Sequence, residues 1–159
     1  MIQKALSLII ILLVLTHFVL NAMAWAETTN KVTPIDKNGL EAFMQAKGGL
    51  TVIIFMASWC TPCKKNVPIL IELSRQHKPN GLDMIGVSID LDQAAMEAFV
   101  KKYPLNFPVF WAGEAPIHRY NLAQIPVFFF VKNGQVVEKI VGKRPKDYLD
   151  QKIQALLPK

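Results

Sequence analysis

Hydrophobic positions divide this chain into one long apolar block and a series of shorter ones. The long block is Ala5 to Leu20, broken only by Ser7, Thr16 and His17. A short start with one positive charge, Met1 to Lys4, precedes it, and two small-x-small patterns, Ala22-Met23-Ala24 and Ala24-Trp25-Ala26, follow. A charged start, an apolar core and a small-residue exit have the form of a secretory signal peptide. The block falls short of the roughly 20 apolar residues that a membrane-spanning helix needs. The expectation is an address in residues 1–26, cleaved after Ala24 or Ala26, with an uncleaved N-terminal anchor as the alternative. Residues 27–159 then form one domain.

Within that domain the blocks alternate in kind. Glu27 to Lys31 is a loose polar leader, and Val32 to Ile35 is a short strand. Asp36 is placed to cap a helix to about Lys47, with Leu40, Phe43 and Met44 at helical spacing and Gly48-Gly49 ending it. Leu50 to Ala57 is a continuous apolar, β-branched run, the pattern of a strand buried on both faces. Pro62 then opens a helix to about His77, with Val67, Leu70, Ile71 and Leu73 facing inward and Pro68 expected to kink it. Leu82 to Ile89 is a second buried strand. Asp92 caps a helix to Tyr103, with Ala95, Met96, Phe99 and Val100 inward. Phe107 to Trp111 and Pro116 to Tyr120 are a short strand and one or two helical turns. Val127 to Val131 and Gln135 to Val141 flank Asn133-Gly134, a strong hairpin signal. Pro145 opens a last helix with Tyr148, Leu149, Ile153, Leu156 and Leu157 on one face. Leaving the two short pieces aside, the order is β-α-β-α-β-α-β-β-α. Alternation of strands and helices implies parallel pairing, and the hairpin adds an antiparallel edge. The fold class is α/β, three layers, with a mixed central sheet and helices on both faces.

Composition agrees with a globular domain. The chain has 159 residues, 52% hydrophobic and 19% charged, which excludes a disordered protein. Its only two cysteines, Cys60 and Cys63, cannot build a multi-bridge framework or a four-thiolate zinc site. The other candidate metal ligands, His77 and His118, have no ligand-like spacing to the cysteines and read as solvated helix residues. No metal and no cofactor are expected.

Cys60 follows a buried strand and opens a helix. Free backbone N–H groups and the helix dipole stabilise negative charge there. Such surroundings bring a cysteine pKa from about 8.5 into the range of roughly 3.5–7.5. The thiolate is the attacking species, and a lower pKa also makes it a better leaving group. Cys63 lies one helical turn on, so the two sulfurs can close a small ring. Cys60, near the helix end, should be exposed and act as nucleophile; Cys63, inside the turn, should be shielded and act as resolving thiol. Thr61-Pro62 sets the stiffness of the loop between them.

Trp59-Cys60-Thr61-Pro62-Cys63-Lys64 on a strand-to-helix junction resembles the thioredoxin active site. Pro68 matches the proline inside the thioredoxin helix, and Ile125-Pro126 before an apolar strand resembles the cis-proline loop. With its leader, the chain looks most like the exported TlpA/ResA-type thiol-disulfide oxidoreductases, from Val32 to Leu157. The resemblance implies that Pro126 has a cis bond, that the Ile125 backbone pairs with an extended substrate, and that Trp59 shields the pair and offers an apolar docking face. It also exposes departures. Ile54 stands where cytosolic thioredoxins have a buried Asp, Asn66 where many exported relatives have a Glu, and Val127 where a Thr is common. The acid that would take a proton from Cys63 is therefore missing from its expected places, leaving water, a nearby lysine or another acid. Lys64 and Lys65 could help a thiolate electrostatically.

Lys and Arg number 18 against 12 acids, for a formal charge of +6. The excess is densest from Lys132 onward and fits a solvated surface, an acidic partner or an anionic membrane. No nucleic-acid motif is present. The resemblance implies protein substrates with disulfides or thiols, a membrane electron donor or acceptor, a monomer, and a reductant or isomerase of envelope proteins, with cytochrome c maturation among its tasks. The alternatives are a disulfide-forming oxidant, a non-enzymatic binding module, and a copper or zinc carrier.

Overall fold

The computed structural model describes residues 31–157. The expected leader and its cleavage site lie outside them. The elements are β1 (Val32–Pro34), α1 (Lys37–Met44), β2 (Leu50–Met56), α2 (Thr61–His77), a 3-10 turn (Lys78–Asn80), β3 (Leu82–Ser88), α3 (Gln93–Lys102), β4 (Val109–Trp111), α4 (Ala115–Arg119), β5 (Val127–Lys132), β6 (Gln135–Val141) and α5 (Lys146–Leu156). The sheet runs β1-β4-β3-β2-β5-β6. Strands β1, β4, β3 and β2 are mutually parallel; β5 lies antiparallel to β2, and β6 antiparallel to β5.

β2 is central and every residue in it is buried. Consecutive buried positions on a strand point to opposite faces, so both faces of the sheet are covered. Phe55, Phe128, Phe130, Leu73 and Met96 are among the largest side chains with almost no exposure. Each contributes roughly 1.5–3 kcal/mol by leaving water.

Helix starts follow the expected caps. The Asp36 side chain accepts from the Gly39 N–H, and Asp92 from the Ala94 N–H. α1 ends at Met44, before the expected Lys47. The hairpin docks against the end of α1: the Gly134 N–H donates to the Ala46 carbonyl at 2.8 Å. Asn133 and Gly134 both have positive φ, 53° and 77°, as a two-residue turn of the mirror type requires. β4 is shorter than expected, yet it pairs on both sides, with β1 and β3. α2 continues through Pro68 to His77. Tyr148 is exposed rather than on the core face of α5, with Arg144 and Lys152 near its ring. β6 forms the edge, and an irregularity opposite Phe130/Val131 interrupts its ladder, a feature that discourages edge-to-edge pairing.

The register brings four segments to one end of the sheet. Phe55 pairs with Val127, so the chain leaving β2 meets the chain entering β5. Val127 pairs with Val141, which adds the segment after β6. Met56 pairs with Ser88, which adds the segment after β3. Among the described residues no helix is long and apolar enough to cross a membrane.

Candidate active site

Cys60 caps α2. Its backbone is extended, and its sulfur accepts the Cys63 N–H at 3.1 Å. The two cysteines form a disulfide with Cα atoms 5.3 Å apart. Pro62 occupies the first turn, where its missing N–H costs nothing. The Cys60 N–H donates to Ala57 O and the Lys64 N–H to Cys60 O, so a tight turn passes directly into the helix.

Both cysteines are buried, Cys60 at 3% exposure and Cys63 at 2%. This corrects the expectation that Cys60 is exposed. The reason is the loop from β4 to β5: the Cys60 sulfur lies 3.7 Å from the Ile125 carbonyl oxygen. The Ile125–Pro126 peptide is cis. Ile125 is half-buried and Pro126 buried, and the Gly142 N–H holds the Pro126 carbonyl at 2.7 Å. Thr61 and Pro62 are exposed. Trp59 is 63% exposed, so it is neither a core aromatic nor packed down as a cover.

Ile54 and Asn66 are both fully buried. The Asn66 amide donates to Arg144 O at 3.5 Å, while its side-chain oxygen has no partner. A different acid stands close by. Asp90, 2% exposed, sits just beyond β3. Its carboxyl accepts the Ser58 N–H at 3.1 and 3.0 Å, the Ser58 hydroxyl at 2.7 Å and the Ser88 hydroxyl at 2.8 Å. The Asp90 carbonyl accepts the Trp111 indole N–H at 2.7 Å. The sequence reading missed Ser58 and Asp90. An Asp just after a largely apolar strand was the only available signal.

The histidines separate. His118 is exposed, as expected. His77 is buried, not solvated, and its Nε2 lies 2.6 Å from Asp150 on α5. That carboxyl is pushed upward by burial, but hydrogen bonds from His77, Gln154 and Gln76 and the His77 charge outweigh this and hold it below its ordinary value. Among the described residues no three His, Cys, Asp or Glu side chains gather as metal ligands.

The chain as a whole is matched by known proteins. Residues 29–157 match the Redoxin family. The chain belongs to that family. It is a thiol-disulfide oxidoreductase of the ResA/DsbE type. A Bacillus cereus relative, thiol-disulfide oxidoreductase ResA, is 34% identical over 129 residues, 80% of this chain and 74% of that protein. A Chlorobium tepidum structure described as a DsbE thiol:disulfide interchange protein superposes with a TM-score of 0.68 at 26% identity, covering 80% of this chain and 93% of that one. A secreted Mycobacterium tuberculosis disulfide oxidoreductase, described as homologous to DsbE, gives 0.61 at 26% identity over 69% and 84%.

Proposed function

We propose that this Redoxin-family protein is exported and reduces or isomerises disulfides of envelope proteins, with Cys60 as nucleophile and Cys63 as resolving thiol. The observation that carries the assignment of roles is the capping bond. Cys60 sulfur already receives a backbone N–H at the positive end of α2, so negative charge on that sulfur is stabilised without rearrangement. In the reduced protein the Cys60 thiolate attacks a substrate disulfide. One S–S bond breaks, a mixed disulfide forms, and one substrate thiolate leaves. The Cys63 thiolate then attacks the Cys60 sulfur, releases the second substrate thiolate and closes the internal disulfide. Two electrons pass to the substrate, and a dithiol donor must restore them.

Trp59, Thr61, Pro62, Ile125 and Pro126 are assigned to substrate contact. Ile125 contributes backbone, Trp59 an exposed apolar face, and Thr61-Pro62 the rim of the disulfide. The apolar leader in residues 1–26 and the secreted relative support an extracytoplasmic domain from residue 27 onward. The reading includes a monomer that draws its electrons from a membrane donor. Apocytochrome c is a candidate substrate.

The test is mixed-disulfide trapping. Cys63→Ser protein should trap envelope proteins through Cys60, and Cys60→Ser in that background should abolish the trapping. Trapping by Cys60→Ser alone would reverse the roles. Equilibration with glutathione gives the potential, and a value as oxidising as the glutathione couple of an oxidising compartment would reject the reductant reading.

A further inference from the structure

Two hollows flank the Cys60–Cys63 pair, one on each side of the first turn of α2. One is lined by Ser58, Lys64, Phe99, Lys102 and Tyr103, the other by Thr61, Pro62, Lys65, Ile125 and Lys143. Each carries two lysines, and neither has a carboxyl group among its lining residues. Three other cations are paired: Lys146 with Glu72, Lys152 with Glu138, and Arg119 with Glu41. Lys64, Lys65, Lys102 and Lys143 form no ion pair among the described residues. Asp90, at the edge of this region, is buried and turned inward onto Ser58 and Ser88, and Asp92 caps α3 through the Ala94 N–H. Among the described residues the two most exposed large apolar side chains, Leu91 and Trp59, sit on the same rim, because Asp90 ties their neighbourhoods together.

We infer that the site selects protein substrates whose reactive cysteine is flanked by acidic side chains. The inference rests on the reductase reading above and deepens it. An extended substrate crossing the disulfide places its reacting sulfur at Cys60 and its flanking side chains toward the two hollows. Carboxylates there meet unpaired ammonium groups, while lysines there meet like charge. Trp59 and Leu91 supply apolar contact between the charges, which suits a polypeptide. Complementary charge of this kind acts mainly on encounter and register.

The experiment uses the purified, pre-reduced protein and three peptides carrying the same disulfide, flanked by Asp, Ser or Lys. Each rate is divided by the rate of that peptide with dithiothreitol, which removes the effect of the charges on the disulfide itself. The expected order is Asp, Ser, Lys, with about tenfold between the extremes at low salt, since exposed ion pairs are individually weak and only a few are made. The spread should collapse at high salt, because surface charges are screened. The double variant Lys65→Glu/Lys143→Glu, which leaves Lys64 and Lys102 in the other hollow, should flatten the order. Equal normalised rates for the three peptides, or an order the double variant leaves unchanged, would overturn the proposal. So would anionic phosphatidylglycerol vesicle binding that depends on these lysines without any peptide preference, which would assign the cationic rim to a membrane. Failure to reduce even the Ser peptide would instead reject the reductase reading, leaving the two failures distinct.

Discussion

The carboxyl group of Asp90 receives both the backbone N–H and the hydroxyl of Ser58, two residues before the nucleophilic position. This joins the end of β3 to the turn that carries Cys60. Hydrogen bonds to a charged group contribute about 1.5–3 kcal/mol, and removing one partner leaves buried donors unmet. Asp90→Asn can no longer accept from every donor present. It should destabilise the protein by about 2 kcal/mol and slow Cys60 exchange several-fold at a temperature where the variant remains folded. Ser58→Ala, which keeps the N–H contact, should do less on both counts. Denaturant melts and single-turnover reduction of a peptide disulfide measure the two effects. Unchanged exchange in folded Asp90→Asn would reject the positioning role.

Asn66 predicts a pH-dependent cost. Its side chain is fully buried one turn beyond Cys63 and faces the Arg144 carbonyl. A carboxylate there would meet an acceptor and no donor. Asn66→Asp should cost about 2 kcal/mol or more at pH 7. Such an acid has a folded-state pKa above its unfolded value. The cost is therefore complete above the folded pKa, shrinks as pH falls through it, and vanishes below about 3.9. Urea melts from pH 7 to pH 4 check this.

The Asp150 contact with His77 has the opposite sign. Asp150 is held below its ordinary carboxyl value of 3.8 in the folded state. The stability it contributes is present above the unfolded pKa and is lost as pH falls through the folded pKa. Asp150→Asn should melt lower than the parent at pH 7, and the two curves should converge below pH 3.8.

Gly134 tests the hairpin apart from the chemistry. Its φ is +77°, and an added Cβ would lie 3.2 Å from Gln45 O. Gly134→Ala should cost about 1 kcal/mol or more through strain at positive φ. Its peptide exchange rate should match the parent, because the turn lies at the end of the sheet remote from Cys60.

Local pattern by itself determined most of the frame. The apolar run of β2, the Asp36 and Asp92 caps, the Asn133-Gly134 turn and the Cys-Thr-Pro-Cys helix start each depend on neighbours within a few residues, which is why they can be read from the chain. Tertiary structure decided what touches the disulfide. The Ile125 carbonyl that covers Cys60 is 65 residues away, Asp90 lies 32 residues from Ser58, and Asp150 lies 73 from His77. Those contacts arise because parallel pairing and one antiparallel strand bring the ends of β2, β3, β5 and β6 together, and helix packing sets α5 beside α2. Hydrophobic periodicity says which face of a strand is buried, but the register between strands decides which loop lands on the cysteines.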